Sequence, residues 1–303
     1  MIAHDLYAGL GGTTSGIVAA GGMVTHAANH SEPALDLHQR NHPTTNHHRQ
    51  NLVDTACFNW ARPDVGFASP SCKWFTRANG GRMATDHSRG TAWAVLTYAE
   101  DVRPPLLVVE NVPEFMGWPC FNAWELGLQD LGYSLARHQV NAVNCGVPQN
   151  RNRMFVIGTQ SKKPLHLEIP KRETRNARDY INLDTSAGRW SLVADKVVRT
   201  RKKANEGRRR FGDQFLICYY SSGSGKTGRS LDRPIGTIPA ADVWAVVCWP
   251  YMRMLTTREL ANLMGFPVDY QLAGTRELLT LMIGNAVCPP VAEEITKALM
   301  RQA

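Results

Sequence analysis

Residues 2–8 form a short, mostly apolar run that predicts a strand, followed by the cluster Gly9-Leu10-Gly11-Gly12 and a helix through 16–20. Residues 24–28 predict a second strand and 33–41 a helix. The apolar runs 64–68, 106–110 and 153–158 predict three more strands, and a helical pattern covers 88–102. Strands that alternate with helices in this way predict a doubly wound α/β sheet. From 159 to about 247 the alternation is lost, and Gly, Ser, Arg and Pro become frequent. After Met252 the pattern is helical again, with a capped start at Thr256 and a last helix over 290–299.

Composition narrows the class. With 43% hydrophobic and 20% charged residues in 303, and no apolar run near membrane-spanning length, the chain is expected to be soluble and globular. The first residues show neither a secretory nor a transit signal, so a cytoplasmic setting is expected. Seven scattered cysteines without a Cys-x-x-Cys pair predict neither a disulfide framework nor a metal site. The net charge of +8 is local: residues 160–234 hold 18 Lys and Arg against 8 Asp and Glu, and the rest of the chain is slightly acidic. The centre of that excess, 197–211, is either a solvated face or a surface that contacts phosphates.

Several residues carry candidate chemistry. A glycine loop between a strand and a helix suits a nucleotide-like cofactor. Cys72 stands just beyond a strand end, beside Lys73 and ahead of Asn79-Gly80-Gly81-Arg82, an electropositive setting that favours thiolate. Glu110 ends an apolar strand, where an acid is either paired or set to act on a substrate. Arg151 and Arg153 flank the start of another strand, and alternation points both to one face.

Taken in order, these blocks resemble the cytosine-C5 methyltransferase family. Asp5 to Gly12 looks like its cofactor loop, Pro70-Ser71-Cys72 its nucleophile block, Glu110-Asn111-Val112 its carboxylate block, and Gln149-x-Arg151-x-Arg153 its arginine block. Arg253-x-Leu255-Thr256-x-Arg258-Glu259, Gly265-Phe266-Pro267 and Gly284-Asn285-Ala286-Val287 are similar to the last two. The resemblance implies a Rossmann-like methyltransferase sheet with helices on both faces and a small, turn-rich target-recognition domain. It places a catalytic domain at 1–158, target recognition at 159–250, and a segment returning to the catalytic domain at 251–303. S-adenosylmethionine is the implied donor and S-adenosylhomocysteine its product.

By the same resemblance Cys72 is the nucleophile that adds to cytosine C6, and Glu110 contacts N3 and the exocyclic amine. Arg153 donates to O2, and Arg151 steadies the site. Tyr7, Ala8, Gly9, Leu10, Gly11, Gly12, Asn29, His30, Asn51, Pro70, Asn285 and Val287 are the implied cofactor contacts. The partner is double-stranded DNA, whose target base must be turned out of the stack. Lys73, Thr76, Arg89, Arg201, Lys202, Arg208, Arg209, Arg210, Ser222 and Gly223 are the expected DNA contacts. No metal, membrane or obligate protein partner is implied, and a monomer suffices.

The chain departs from the family pattern in four places. Ser71 and Lys73 flank the cysteine where Pro and Gln are usual. His30 and Asn51 stand where acids normally hold the ribose and adenine; Glu32 is the expected substitute for the first, and the Asn51 carbonyl oxygen serves the second. Two other readings stay open at this point: a transfer-RNA cytosine-C5 methyltransferase, and a catalytically silent nucleic-acid binder. Whether the enzyme accompanies a nuclease or marks a viral genome is open too.

Overall fold

A computed structural model of the chain describes residues 1–54, 58–71, 86–219 and 228–302, with 86–89 described in backbone only. It forms two compact units, the first from Met1–Cys145, Asn152–Lys171 and Ala286–Ala303, the second from Gly146–Arg151 and Arg172–Asn285.

The first unit is built on β1 (Ile2–Leu6), β2 (Met23–Asn29), β3 (Asn46–Arg49), β4 (Val65–Ala68), β5 (Leu106–Asn111) and β6 (Ser134–Asn141). A two-residue strand, β7 (Gln149–Asn150), belongs to the second unit, and β8 (Asn152–Thr159) returns to the first. The order is β3-β2-β1-β4-β5-β8-β6. Neighbours from β3 to β5 pair in parallel, whereas β8 runs antiparallel to both β5 and β6. Parallel β1 to β5 therefore end on one edge, where loops gather to make a site. Central position explains composition: all four residues of β4 are buried, and all are apolar or glycine.

The helices are α1 (Gly12–Ala19), α2 (Glu32–Asn41), α3 (Asp86–Val102), α4 (Phe121–Asp130), α5 (Val198–Phe211), α6 (Thr257–Leu263), α7 (Arg276–Asn285) and α8 (Pro289–Met300). Alternation along β1 sorts those of the first unit. His4 meets Tyr98 of α3, while Asp5 meets Thr14 of α1, so α3 and α1 lie on opposite faces of the sheet. Against the α3 face a core forms from Leu6, Tyr98, Val109, Phe115, Phe121 and Trp124. On the other side α1 and α8 pack so closely that a Cβ on Gly16 would stand 2.4 Å from the Pro289 carbonyl oxygen.

In the second unit β9 (Ser191–Leu192), β10 (Gln214–Cys218), β12 (Trp244–Cys248) and β13 (Tyr251–Met254) form an antiparallel sheet in the order β10-β12-β13-β9. The two-residue β11 (Ile235–Gly236) pairs in parallel with β7. The basic segment is helix α5, whose Ala204 joins Phe215, Ile217 and Val247 in a core. Thr256 and Glu259 cap α6 reciprocally, and Arg253 donates to both Glu259 oxygens at 2.6 and 2.8 Å. That network holds the Glu259 carboxyl below its usual range against the opposing effect of burial. The apolar stretch Arg276–Met300 is two helices, α7 and α8, and is mostly buried.

Candidate active site

The glycine loop leaves β1 at Tyr7, whose φ is 64°, and enters α1 through Gly11 at φ 90°. Glycine takes that left-handed conformation without the penalty a Cβ brings. The space over Gly9 is open, since a Cβ there would meet only the Tyr7 carbonyl oxygen at 4.0 Å. Asn29, at the end of β2, donates to the Ala8 carbonyl at 2.9 Å and accepts from Ser31 N–H at 2.9 Å, which ties the loop to the next strand. Tyr7 donates to the Thr91 carbonyl at 2.6 Å, and burial pushes its phenol pKa up. Ala8 and Leu10 are buried.

Beneath the loop lies a polar network that sequence reasoning missed. Thr14 donates to Asp5 at 2.8 Å and lies 3.0 Å from His38 Nε2, and His38 Nδ1 lies 2.8 Å from His47 Nε2. Burial pushes the Asp5 carboxyl up to about 7 and the His38 imidazole well down; His42 is lowered to about 4. With the histidines neutral and Asp5 ionised, each contact is satisfied when His47 donates to His38, His38 to Thr14, and Thr14 to Asp5. His42 lies 3.3 Å from the Ser15 hydroxyl, and with this network it fastens α2 to the start of α1. The sequence signal was the density of histidines in 26–48, which carries meaning only once β3 and α2 bring them together.

At the ends of β2 and β3 the two departures resolve differently. His30 is exposed. Glu32, the expected substitute acid, is exposed and pairs with Arg49 at 2.8 Å. Asn51 donates to Asp54 at 2.6 Å and accepts from Val53 N–H at 3.3 Å, so a carboxylate stands beside the amide where the family's acid would be. Asp54 was not singled out in the sequence. Backbone N–H groups at the start of α1, open space over Gly9 and the Asn51–Asp54 pair together fit the amino-acid end and adenosine of S-adenosylmethionine.

Glu110 lies near the end of β5, and Arg153 at the start of β8. Their side chains, 12% and 16% exposed, form an ion pair at 3.1 Å between Arg153 Nε and Glu110 Oε1. Arg153 also donates to the Asn152 carbonyl at 2.8 Å. The neighbouring Asn111 donates to the Pro70 carbonyl at 3.1 Å, fastening the end of β5 to the residue two before Cys72. Cys72, Lys73, Thr76, Ser222 and Gly223 lie outside the described residues, as does the side chain of Arg89.

The expectation that Arg151 and Arg153 share a face is corrected. Arg151 belongs to the second unit, is 3% exposed, and donates to the carbonyls of Ile238 at 3.1 Å and Gly284 at 2.8 Å. Strand alternation does not apply because β7 ends at Asn150 and β8 begins at Asn152, so Arg151 sits between two strands that pair in different sheets. Asn285 is exposed at the end of α7, and Val287 is buried.

On α5 the basic residues divide. Arg208 pairs with Asp213 at 2.7 Å and lies over the Trp249 ring, Arg209 pairs with Glu206 at 2.9 Å, and Arg210 lies over Phe211. Arg199, Arg201 and Lys202 are exposed and have no carboxylate partner among the described residues.

Residues 1–301 match the family described as C-5 cytosine-specific DNA methylase. The chain is 30% identical over 303 residues to the Type II methyltransferase M.HgiDI of Herpetosiphon aurantiacus, across 93% of this chain and 89% of that protein. It is 28% identical over 311 residues to the Type II methyltransferase M.HindV of Haemophilus influenzae, across 98% and 95%. A solved structure of a Spodoptera frugiperda DNMT2 mutant matches with a TM-score of 0.70 and 17% identity, covering 99% of this chain and 99% of that one.

Proposed function

Because the chain belongs to the C-5 cytosine-specific DNA methylase family, we propose that Cys72, Glu110 and Arg153 carry its chemistry. The enzyme methylates cytosine at C5 in DNA, with S-adenosylmethionine as donor. When bound, the donor supplies an electrophilic methyl group on a sulfonium and leaves as S-adenosylhomocysteine.

Cytosine C5 is a weak nucleophile. The Cys72 thiolate adds to C6 and makes C5 enamine-like, so that C5 can take the methyl group. Negative charge then builds on the ring, and Glu110 offsets it by presenting a proton or hydrogen bond to N3. Arg153 holds that carboxyl in place from one side and, at 16% exposure, keeps its remaining N–H groups near enough to solvent to meet the O2 of an entering base. Removal of the C5 proton and expulsion of Cys72 restore the aromatic ring and free the enzyme. The single observation that carries this assignment is the Glu110–Arg153 pair at the strand ends, with Asn111 fastened to Pro70 beside it.

Arg151 acts at one remove, bracing the turn between β7 and β8 through two carbonyls. Tyr7 to Gly12, Asn51 and Asp54 bind the donor. Residues 159–250 read the target, with the unpaired cations of α5 on DNA phosphates. The enzyme modifies a short sequence, and it works as a monomer on cytoplasmic DNA without an obligate protein partner.

Labelled S-adenosylmethionine and unmodified duplex DNA test this, followed by base-resolution mapping of 5-methylcytosine. Signal confined to one short context is expected. Transfer to RNA with none to DNA would contradict the reading.

A further inference from the structure

The second unit contains a cavity of about 400 Å³ beside β13. Arg189, Lys196, Arg253 and Arg276 line it together with Tyr219 and Met254, and no carboxylate does among the described residues. Two of these cations are committed: Arg253 to Glu259, and Arg276 to Asp242 at 2.6 Å. Arg189 and Lys196 have no carboxylate partner among the described residues. Tyr219 and Met254 also pack against the core under α5, so the apolar side of the cavity is fixed by the fold.

Two cations without a carboxylate partner among the described residues, in one lining with an aromatic ring and a thioether, suit a ligand that carries both negative charge and a flat, weakly polar part. The volume exceeds what one phosphate fills and falls in the range of small-molecule sites, about 300–1,000 Å³.

We propose that this cavity binds a single nucleotide unit, with its phosphate on Arg189 and Lys196 and its base against Tyr219 and Met254. Guanidinium and ammonium groups suit phosphate oxygens, and the ring face accepts any base because every base offers a π-face. The unit can come from a nucleotide of the DNA strand or from a free mononucleotide. Only the first source rests on the methyltransferase reading.

The test compares the wild type with R189A/K196A, using binding alone. Three ligands are titrated: a short duplex over a range of salt concentrations, deoxycytidine monophosphate, and deoxycytidine without phosphate. If the unit belongs to DNA, the variant's salt slope flattens by about one unit, the share of one phosphate contact. If it is free, the wild type binds deoxycytidine monophosphate in preference to deoxycytidine, and the variant weakens that binding about tenfold or more. An unchanged slope together with unchanged mononucleotide binding, in a variant that melts like the wild type, would overturn the proposal. Arg189 is exposed, so R189A alone provides a second variant whose folding is not at issue. Because no readout needs methyl transfer, an inactive enzyme would leave this result intact.

Discussion

The strand ends of the first unit and helix α5 of the second handle charge in opposite ways. At the strand ends of the first, ionisable groups are partly or fully buried and matched: Glu110 faces Arg153, and burial pushes the Asp5 carboxyl up to about 7 beside histidines whose imidazoles burial pushes down. On α5 of the second, Arg199, Arg201 and Lys202 stand exposed without carboxylate partners among the described residues. A matched, partly desolvated pair has one geometry and can orient a reacting base. An exposed surplus has no fixed geometry and attracts a polyanion wherever it passes.

Arg151 and Arg153 stand two residues apart in different settings, one bonded to backbone carbonyls and the other paired with a carboxylate, and exchanging each for methionine separates positioning from chemistry. Arg153→Met removes the Glu110 partner and the donor proposed for the base, so turnover should fall about 10²–10³-fold while the melting temperature stays nearly constant. Arg151→Met leaves two buried carbonyls without their donor, at a cost of about 2–4 kcal/mol, read as a melting temperature lower by several degrees. If Arg153→Met lowered stability and left turnover intact, the pair would be structural.

A smaller effect is expected on α5. R199A/R201A/K202A should flatten the salt slope of DNA binding by up to about three units, at roughly 0.9 per phosphate contact. R208A/R209A should flatten it by less, because Asp213 and Glu206 already neutralise those arginines. Equal slopes for the two variants would show that pairing within the helix does not decide which cations reach phosphate.

Local pattern made the first unit's frame legible. The runs that became β1, β2, β4, β5 and β8 are apolar because they lie inside a sheet covered on both faces, and the glycine loop appears where a strand must turn into a helix. The strand β3 escaped because its residues, Asn46, His47, His48 and Arg49, are polar, and the histidines matter only through partners on other elements. That β8 runs antiparallel follows from its neighbours and leaves no mark on its own residues.

Candidate site residues could be named from type and order, whereas their partners could not. Glu110 and Arg153 lie 43 positions apart, and only the pairing of β5 with β8 brings them within 3.1 Å. Asp54 passed unnoticed because the pattern directs attention to Asn51. The helix in 198–211 was hidden by its charge: only Thr200, Ala204 and Gly207 are buried, too few to set a strong apolar period.

The central claim is that Cys72 is the covalent nucleophile of this site. Incubating the wild type and Cys72→Ala with S-adenosylmethionine and duplex DNA containing 5-fluorocytosine tests it most directly. Fluorine cannot leave as the C5 proton does, so the wild type should remain bonded to DNA through a denaturing gel and Cys72→Ala should not, though it still binds the duplex. A covalent complex with Cys72→Ala, or none with a wild type that methylates ordinary cytosine, would contradict the account.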